Sequence, residues 1–319
     1  MNGCFVGVDT SNYTTSVGIV DENGGVLANV KRLLPVADGQ CGLRQSDAVF
    51  AHVKNLPAVL AEASTFLEGK ALLGIGYSAR PRNVDGSYMP CFLCGEAAAN
   101  ALAAGRGISP VSFSHQCGHL SAALTSAGAW GIADKPFIAF HVSGGTTEVL
   151  LCRQSGDGFA AEIVGGTRDL NAGQTVDRAG VMMGMRFPCG AQLEQEAARY
   201  KGKLPKPNIS VRGAYCNLSG LQNLAEACFR ESGDTAKTSA FVLDFIGRTL
   251  LAMAQGAREE HGALPVLFAG GVMSNRRLRA MLSPLGETYF AEPALSADNA
   301  VGIAELARRK TQNLLAEEV

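Results

Sequence analysis

VGVDTSNYTTSVGIV, residues 6–20, and IAFHVSGGTTEVLLC, residues 138–152, read alike. In each, an apolar β-rich run meets a turn of small polar residues and returns as a second apolar run. Each is followed by a glycine-containing turn and a third strand-like run. The first continues through Gly24–Gly25 into VLANVKRLL, the second through QSGDG into FAAEIVGG. A repeat about 130 residues apart implies two related halves, each opening with a β-meander. Helical stretches fill the intervals. DAVFAHVKNLPAVLAEASTFL carries an apolar stripe at helical spacing, GEAAANALAAG is alanine-rich with a glycine stop, and TSAFVLDFIGRTLLAMAQGAREEHG is long and amphipathic, ending at Gly262. LPVLFAGGVMSNRRLRAML reads as a buried strand, a Gly-Gly turn and a helix starting near Ser274 or Asn275. The expected architecture is α/β with two domains, 1–134 and 135–319, divided in SAGAWGIADKPF, with the last helix packing back on the first domain. Two such halves facing one another enclose a cleft, the usual place for a ligand.

The bulk numbers suit this. The chain has 319 residues, 47% of them hydrophobic and 18% charged, with 38 glycines and a formal net charge of −1. That composition excludes a disordered chain and gives no sign of a DNA-binding protein. The short basic clusters KGKLPK (201–206), RRLR (276–279) and RRK (308–310) are expected to be solvated. No secretory leader or run of about 18 uninterrupted apolar residues appears, so a cytoplasmic protein off the membrane is expected. Nine cysteines in that compartment are expected to be thiols. Cys91 and Cys94 form a lone C-x-x-C, read as small buried residues at a helix start or as a redox pair.

Three groups of residues carry chemistry. The first is the glycine turns, HVSGGTTE with Ser143, Gly144 and Gly145, and FAGGVMSNRRL with Gly270 and Gly271. Without Cβ atoms, backbone N–H groups approach phosphate oxygens closely. Neither turn is a P-loop, and each alone is also an ordinary structural turn. In equivalent places beside a duplicated meander, they point to a bound nucleotide. The second is His115 and His119, four apart, hence on one helix face and able to share a metal ion or simply to pack. Gln116 stands where a zincin base would be, which argues against a metalloprotease on chemistry. Asp298, in SADNAVGIAELA, is a candidate third ligand. The third is GGTRDLNAGQTVDRAGVMMG, whose Asp169 and Asp177 either hold ribose hydroxyls or magnesium, or serve as a helix cap and surface charge.

Taken in order, VGVDTS (6–11), HQCGH (115–119), HVSGG (141–145), AGQTVDRAG (172–180), FPCG (187–190), NLSGL (217–221), AGGVMSNRRLR (269–279) and ADNAVGIA (297–304) resemble the TsaD family, also called YgjD or Gcp, of the sugar kinase/Hsp70/actin superfamily. The resemblance runs nearly end to end. It implies two actin-like domains around a nucleotide cleft. It implies one divalent metal ion, iron or zinc, on His115, His119 and Asp298. It places Ser143, Gly144, Gly145, Asp177, Gly190 and Asn275 around ATP, ADP or an acyl-adenylate, to which the reading of the residues adds Gly270 and Gly271 and, beside the acidic residues, magnesium. The implied activity is transfer of a threonylcarbamoyl group from its adenylate to an adenosine beside the tRNA anticodon, with partner proteins of that system or a second copy of the chain.

The first loop departs from the family pattern. Where the family reads E-T-S-C-D-E-T, this chain reads Asp9-Thr10-Ser11-Asn12-Tyr13-Thr14-Thr15, so Tyr13 and Thr14 replace an acidic pair. Thr14 is no general base at neutral pH, and Tyr13 is one only after a large pKa shift. Asp9 and Ser11 are then the remaining candidates for a catalytic role in that loop. Gln116-Cys117 and Ala79-Arg80-Pro81-Arg82 also depart from the pattern. Three readings follow: a divergent carbamoyl transferase, a non-catalytic paralogue that binds nucleotide and metal, and a sugar or acid kinase of the same superfamily.

Overall fold

The computed structural model describes residues 2–35, 43–156 and 158–313. The chain divides into two compact units, one of residues 1–135, 153–160 and 294–319, the other of residues 136–152 and 161–293. The partition is therefore not a single cut. A strand tip and the C-terminal segment count with the first unit.

In the first unit, β1 (Gly3–Ser11), β2 (Thr14–Asp21) and β3 (Val26–Leu33) form the antiparallel meander. After α1 (Gln45–Ser64), β4 (Ala71–Arg80) adds beside β1 in parallel. After α2 (Phe92–Ala104), β5 (Val111–Ser114) adds beside β4 and runs directly into α3 (His115–Ser126). The sheet order is β3-β2-β1-β4-β5. Every residue of β1 is buried because both faces of the sheet are covered. Cys4, Val6 and Val8 pack with Leu56 and Val59 of α1 and Ala99 and Ala103 of α2. Phe5 faces the other way, with Ala122, Val301 and Ala304.

The second unit repeats the order. β6 (Phe137–Val142) and β7 (Thr147–Ser155) pair antiparallel, and β8 (Gly158–Thr167) continues the meander. Then come α4 (Ala172–Met182), α5 (Gly190–Arg199), the short strands β9 (Ser210–Arg212) and β10 (Tyr215–Asn217), α6 (Gly220–Ser232) and α7 (Thr235–His261). β11 (Val266–Ala269) lies parallel to β6, followed by α8 (Arg276–Leu282) and β12 (Thr288–Phe290). The full order is β12-β11-β6-β7-β8-β10-β9, so β8-β7-β6-β11-β12 matches β3-β2-β1-β4-β5. The sequence repeat is thus a repeat of topology. Among the described residues, α7 is the one helix long and apolar enough by composition to cross a membrane, and most of that stretch is buried in this unit's core.

The last helix, α9 (Val301–Thr311), is seated in the first unit by missing side chains. A Cβ on Gly7 or Gly18 of the sheet would strike the backbone of residues 300–304, and one on Gly302 would strike Gly118 O of α3. In the basic run that it carries, Arg308 and Arg309 are not solvated as expected, whereas Lys310 is exposed. Buried Glu305 accepts from Arg308 (Nη2, 2.6 Å) and Arg309 (Nε, 2.7 Å), Arg309 lies 3.5 Å over the Trp130 ring, and Lys310 Nζ donates to Gly156 O. Arg279 likewise donates to Met273 O and Ala291 O and pairs with Glu292. In each case, a backbone carbonyl or carboxylate within reach gives the charge a fixed partner.

Candidate functional site

The metal-type site grows from the start of α3. Ser114 ends β5 and caps the helix, accepting from Cys117 N, and this hands His115 and His119 to one face, one turn apart. Asp298 arrives on the loop before α9. Asn299 fixes that loop, donating to Leu295 O (3.0 Å) and Ala297 O (2.7 Å) and accepting from Val301 N (3.0 Å). The close approach at Gly118 and Gly302 then brings the loop against the imidazoles. His115 Nε2 lies 3.0 Å from His119 Nε2, and Asp298 Oδ1 lies 3.2 Å from His119 Nε2 and 3.7 Å from His115 Nε2. Ligands about 2.0–2.1 Å from a tetrahedral zinc ion are separated by about 3.3 Å, so this triangle fits one ion. Two imidazoles and a carboxylate suit zinc or iron(II). All three side chains are only about a quarter exposed.

Behind the triangle stands Asp9, fully buried on β1. Its Oδ1 accepts from His115 Nδ1 at 2.9 Å and from the Ser78 hydroxyl of β4. A carboxylate in that place keeps the proton on Nδ1 and turns the Nε2 lone pair toward the centre, as orienting carboxylates do at metal sites. Among the described residues, no group satisfies Asp9 Oδ2. Burial opposes every charge here, yet the pairs prevail. Asp9, facing His115, and Asp298, facing both histidines, lie below the usual carboxylate range. The Asp9 charge and hydrogen bond, acting against desolvation, push His115 up to about 9.

Asp298 Oδ2 faces the first hairpin, where Ser11 Oγ and Thr14 Oγ1 each approach it at 3.3 Å. The turn is held by His52 of α1, which is fully buried. Its Nε2 donates to Ser11 O (2.9 Å), and its Nδ1 accepts from the Thr15 hydroxyl (2.8 Å). Tyr13 is 42% exposed. The lone C-x-x-C is at the start of α2 with both thiols buried, and burial pushes Cys91 up to about 11, so it is no ready nucleophile.

The glycine-turn residues all fall in the second unit. β6 and β11 are parallel neighbours, so the turns after Val142 and after Ala269 lie side by side at the carboxyl ends of the strands. In the first, Ser143 Oγ accepts from Gly145 N (3.3 Å) and Thr146 N (3.1 Å), so the amides of the turn converge on one oxygen. Gly144 and Gly145 have open space above them. In the second, Gly270 has φ +100° and a Cβ on it would strike Val142 O, a place for glycine alone. Asn275 caps α8 through Oδ1, which accepts from Leu278 N. Asp177, on α4, accepts from Cys189 N at 2.7 Å and so holds Gly190 at the start of α5. Asp177 also lines an open depression of about 570 Å³ with Gln174, Arg178, Val181 and Phe187. Asp169 does not serve as a helix cap, one of the two roles its sequence position allowed. Asn171 and Gln174 cap α4, while Asp169 accepts from Leu170 N, Leu218 N, and both N and Oγ of Ser219. Its oxygens are taken up in joining two loops.

Nothing in the sequence singles out His52 or Ser78. His52 sits on an amphipathic helix and reads as an ordinary core position, and Ser78 as one residue of an apolar strand. Only the pairing of distant elements reveals them.

A family profile described as "TsaD: tRNA N6-adenosine threonylcarbamoyltransferase" matches residues 40–305, most of the chain. The chain belongs to the TsaD family. Membership supports a carbamoyl-transfer type of function. Solved structures agree on the actin-like ATPase fold. Full-length HypF in its phosphate- and nucleotide-bound form aligns at TM-score 0.59 and 12% identity, over 98% of this chain and 56% of that one. HypF of T. kodakarensis aligns at 0.56 and 15%, over 99% and 48%. Component A of the (R)-2-hydroxyglutaryl-CoA dehydratase of Acidaminococcus fermentans aligns at 0.52 and 15%, over 98% and 99%. The departure of this TsaD-family chain at Tyr13 and Thr14 thus falls on the hairpin that touches Asp298 through Thr14.

Proposed function

We propose that this protein is a metal- and nucleotide-binding carbamoyl-type transferase that moves a threonylcarbamoyl group from an adenylate to an adenosine of tRNA, with a partner protein. The observation that carries the reading is the convergence of His115, His119 and Asp298 in a chain of the TsaD family. These three residues would hold the ion and Asp9 would orient His115. A divalent cation held there supplies Lewis-acid polarisation of a carbonyl. The SGGT turn, Gly270, Gly271 and Asn275 would receive the phosphate end of the adenylate, with Gly144 N, the glycine amides of the second turn and Asn275 Nδ2 as donors and the Gly145 and Thr146 amides exchanging Ser143 Oγ for a phosphate oxygen. Asp177 and Gly190 would border the nucleoside. HypF, described with phosphate and nucleotide bound, supports placing a nucleotide on this fold. Since an exocyclic amine is a weak nucleophile, orientation of both reactants contributes most.

A second reading has its own observation. Thr14 places a hydroxyl, not a carboxylate, against Asp298, which favours a paralogue that binds metal and nucleotide without transfer. One experiment separates them. Purified protein is incubated with threonylcarbamoyl-adenylate, tRNA and an authentic partner set, and modified adenosine is sought by mass spectrometry. Product that disappears in His119→Ala supports transfer. Bound adenylate and metal without product, with an active control enzyme alongside, supports the paralogue.

A further inference from the structure

We infer that Ser11 and Thr14 are positioning residues for Asp298, holding it as a one-oxygen ligand. The inference rests on the metal-binding reading and extends it to this chain's own first hairpin. The two residues are cross-strand partners flanking the turn of the β1–β2 hairpin, and both are buried. Their hydroxyls therefore emerge on the same side. Both reach Oδ2 of Asp298, while Oδ1 is the oxygen nearest the two imidazoles. At 3.3 Å each contact is long for an O–H···O bond, which usually measures about 2.7–2.8 Å, and weak alone. Two donors on one oxygen, with none of those hydroxyls on the other, nevertheless distinguish the two ends of the carboxylate.

The arrangement is held from both sides. His52 grips the hairpin through Ser11 O and the Thr15 hydroxyl, and Asn55 Nδ2 also reaches Thr15 Oγ1. Asn299 grips the loop that carries Asp298. The carboxylate thus lies between two fixed backbones and has little freedom to turn. Were Oδ2 unengaged, Asp298 would be able to chelate an ion through both oxygens and fill a position that a substrate oxygen needs. A catalytic site keeps such a position open. Thr14 stands where the family pattern has a carboxylate, so this chain has exchanged a like-charged neighbour of Asp298 for a hydrogen-bond donor.

The test uses the full chain, stripped of metal and titrated with cobalt(II) against a chromophoric chelator. The parent is expected to bind one ion per chain. Ser11→Ala/Thr14→Val is expected to bind about 10-fold more weakly, the lower end of effects seen for outer ligand-orienting groups. Its visible cobalt bands are expected to lose intensity as the coordination number rises. Thr14→Ser, which keeps the hydroxyl, is expected to match the parent. Where the urea midpoint of the double variant falls, Thr14→Val against Thr14→Ser carries the comparison, and fluorescence of Trp130, the single tryptophan, checks the fold. Parent-like affinity and bands in the double variant, or equal losses in Thr14→Ser and Thr14→Val, overturn the inference while leaving the metal reading intact. A parent that binds no ion overturns both.

Discussion

Gly302→Ala offers a direct test of how the site is assembled. The residue is inside α9, where alanine ordinarily stabilises a helix by about 1 kcal/mol over glycine. Here a methyl group would lie 2.7 Å from Ala122 N and 2.8 Å from Gly118 C, with Gly118 O nearer still. Contact distances for such atoms are about 3.5 Å, so the shortfall is roughly 0.8 Å to Ala122 N and larger to Gly118 O. The obstacle is backbone, and no rotamer change relieves it. The helices must part, at a cost near the upper end of overpacking, about 3 kcal/mol. Subtracting the helix gain leaves a net loss of about 2 kcal/mol. Parting also carries Asp298 away from His119, beyond the roughly 0.5 Å within which a site of this kind must be held. The expected result is a lower urea midpoint together with weaker zinc binding in a chelator competition. Gly220→Ala, at the first position of α6 with nothing within 4 Å, serves as the control and is expected to be neutral or slightly stabilising. A Gly302→Ala protein as stable as its parent, with full zinc affinity, would refute the packing account.

The other predictions concern polar anchors. His52→Leu leaves Ser11 O without its side-chain donor and the Thr15 hydroxyl with Asn55 Nδ2 alone, which is expected to cost about 1–3 kcal/mol in urea denaturation. Asp9→Asn keeps the shape but removes the charge facing His115, and zinc affinity by competition is expected to fall about 10- to 100-fold. Asp169→Ala is expected to lose about 1 kcal/mol, a modest figure because the residue is exposed. The folded carboxyl of Asp169 lies below the ordinary value, through the Ser219 hydroxyl and the amides of Leu218, Leu170 and Ser219 acting against its desolvation. Its contribution is therefore present above about pH 4 and is lost as pH falls further, so parent and variant are expected to converge in stability in acid.

Much of the scaffold is legible in the sequence because it depends on local pattern. The apolar–turn–apolar runs at 6–20 and 138–152 are equivalent hairpins, Gly262 ends α7, and Asn275 caps α8. The spacing of His115 and His119 gives their shared face, since four residues make about one helical turn. What is not legible depends on contacts distant along the chain. Nothing near Asp298 in sequence says that Ser11 and Thr14 lie against it, and nothing near Ser11 announces His52. Asp169 misleads for a related reason. A short acidic side chain before a helix looks like a cap, but Asn171 stands closer to α4, and the free amides of residues 218 and 219 are brought within reach only by tertiary folding. Arg308 and Arg309 pair with Glu305 three and four residues back on the same helix; what the local sequence does not show is that α9 is buried against the sheet and takes these charges with it.

The discontinuity of the first unit has a consequence for biosynthesis. Its sheet and both histidines leave the ribosome early, but the carboxylate that completes the triangle is translated only after residues 161–293 of the second unit. A nascent or prematurely terminated chain therefore presents two imidazoles without Asp298, and without α9 its β1 and β2 glycines face no helix. All three side chains of the triangle exist together only when synthesis has passed the whole second unit, so an ion that needed all three would be held only by a polypeptide made at least that far.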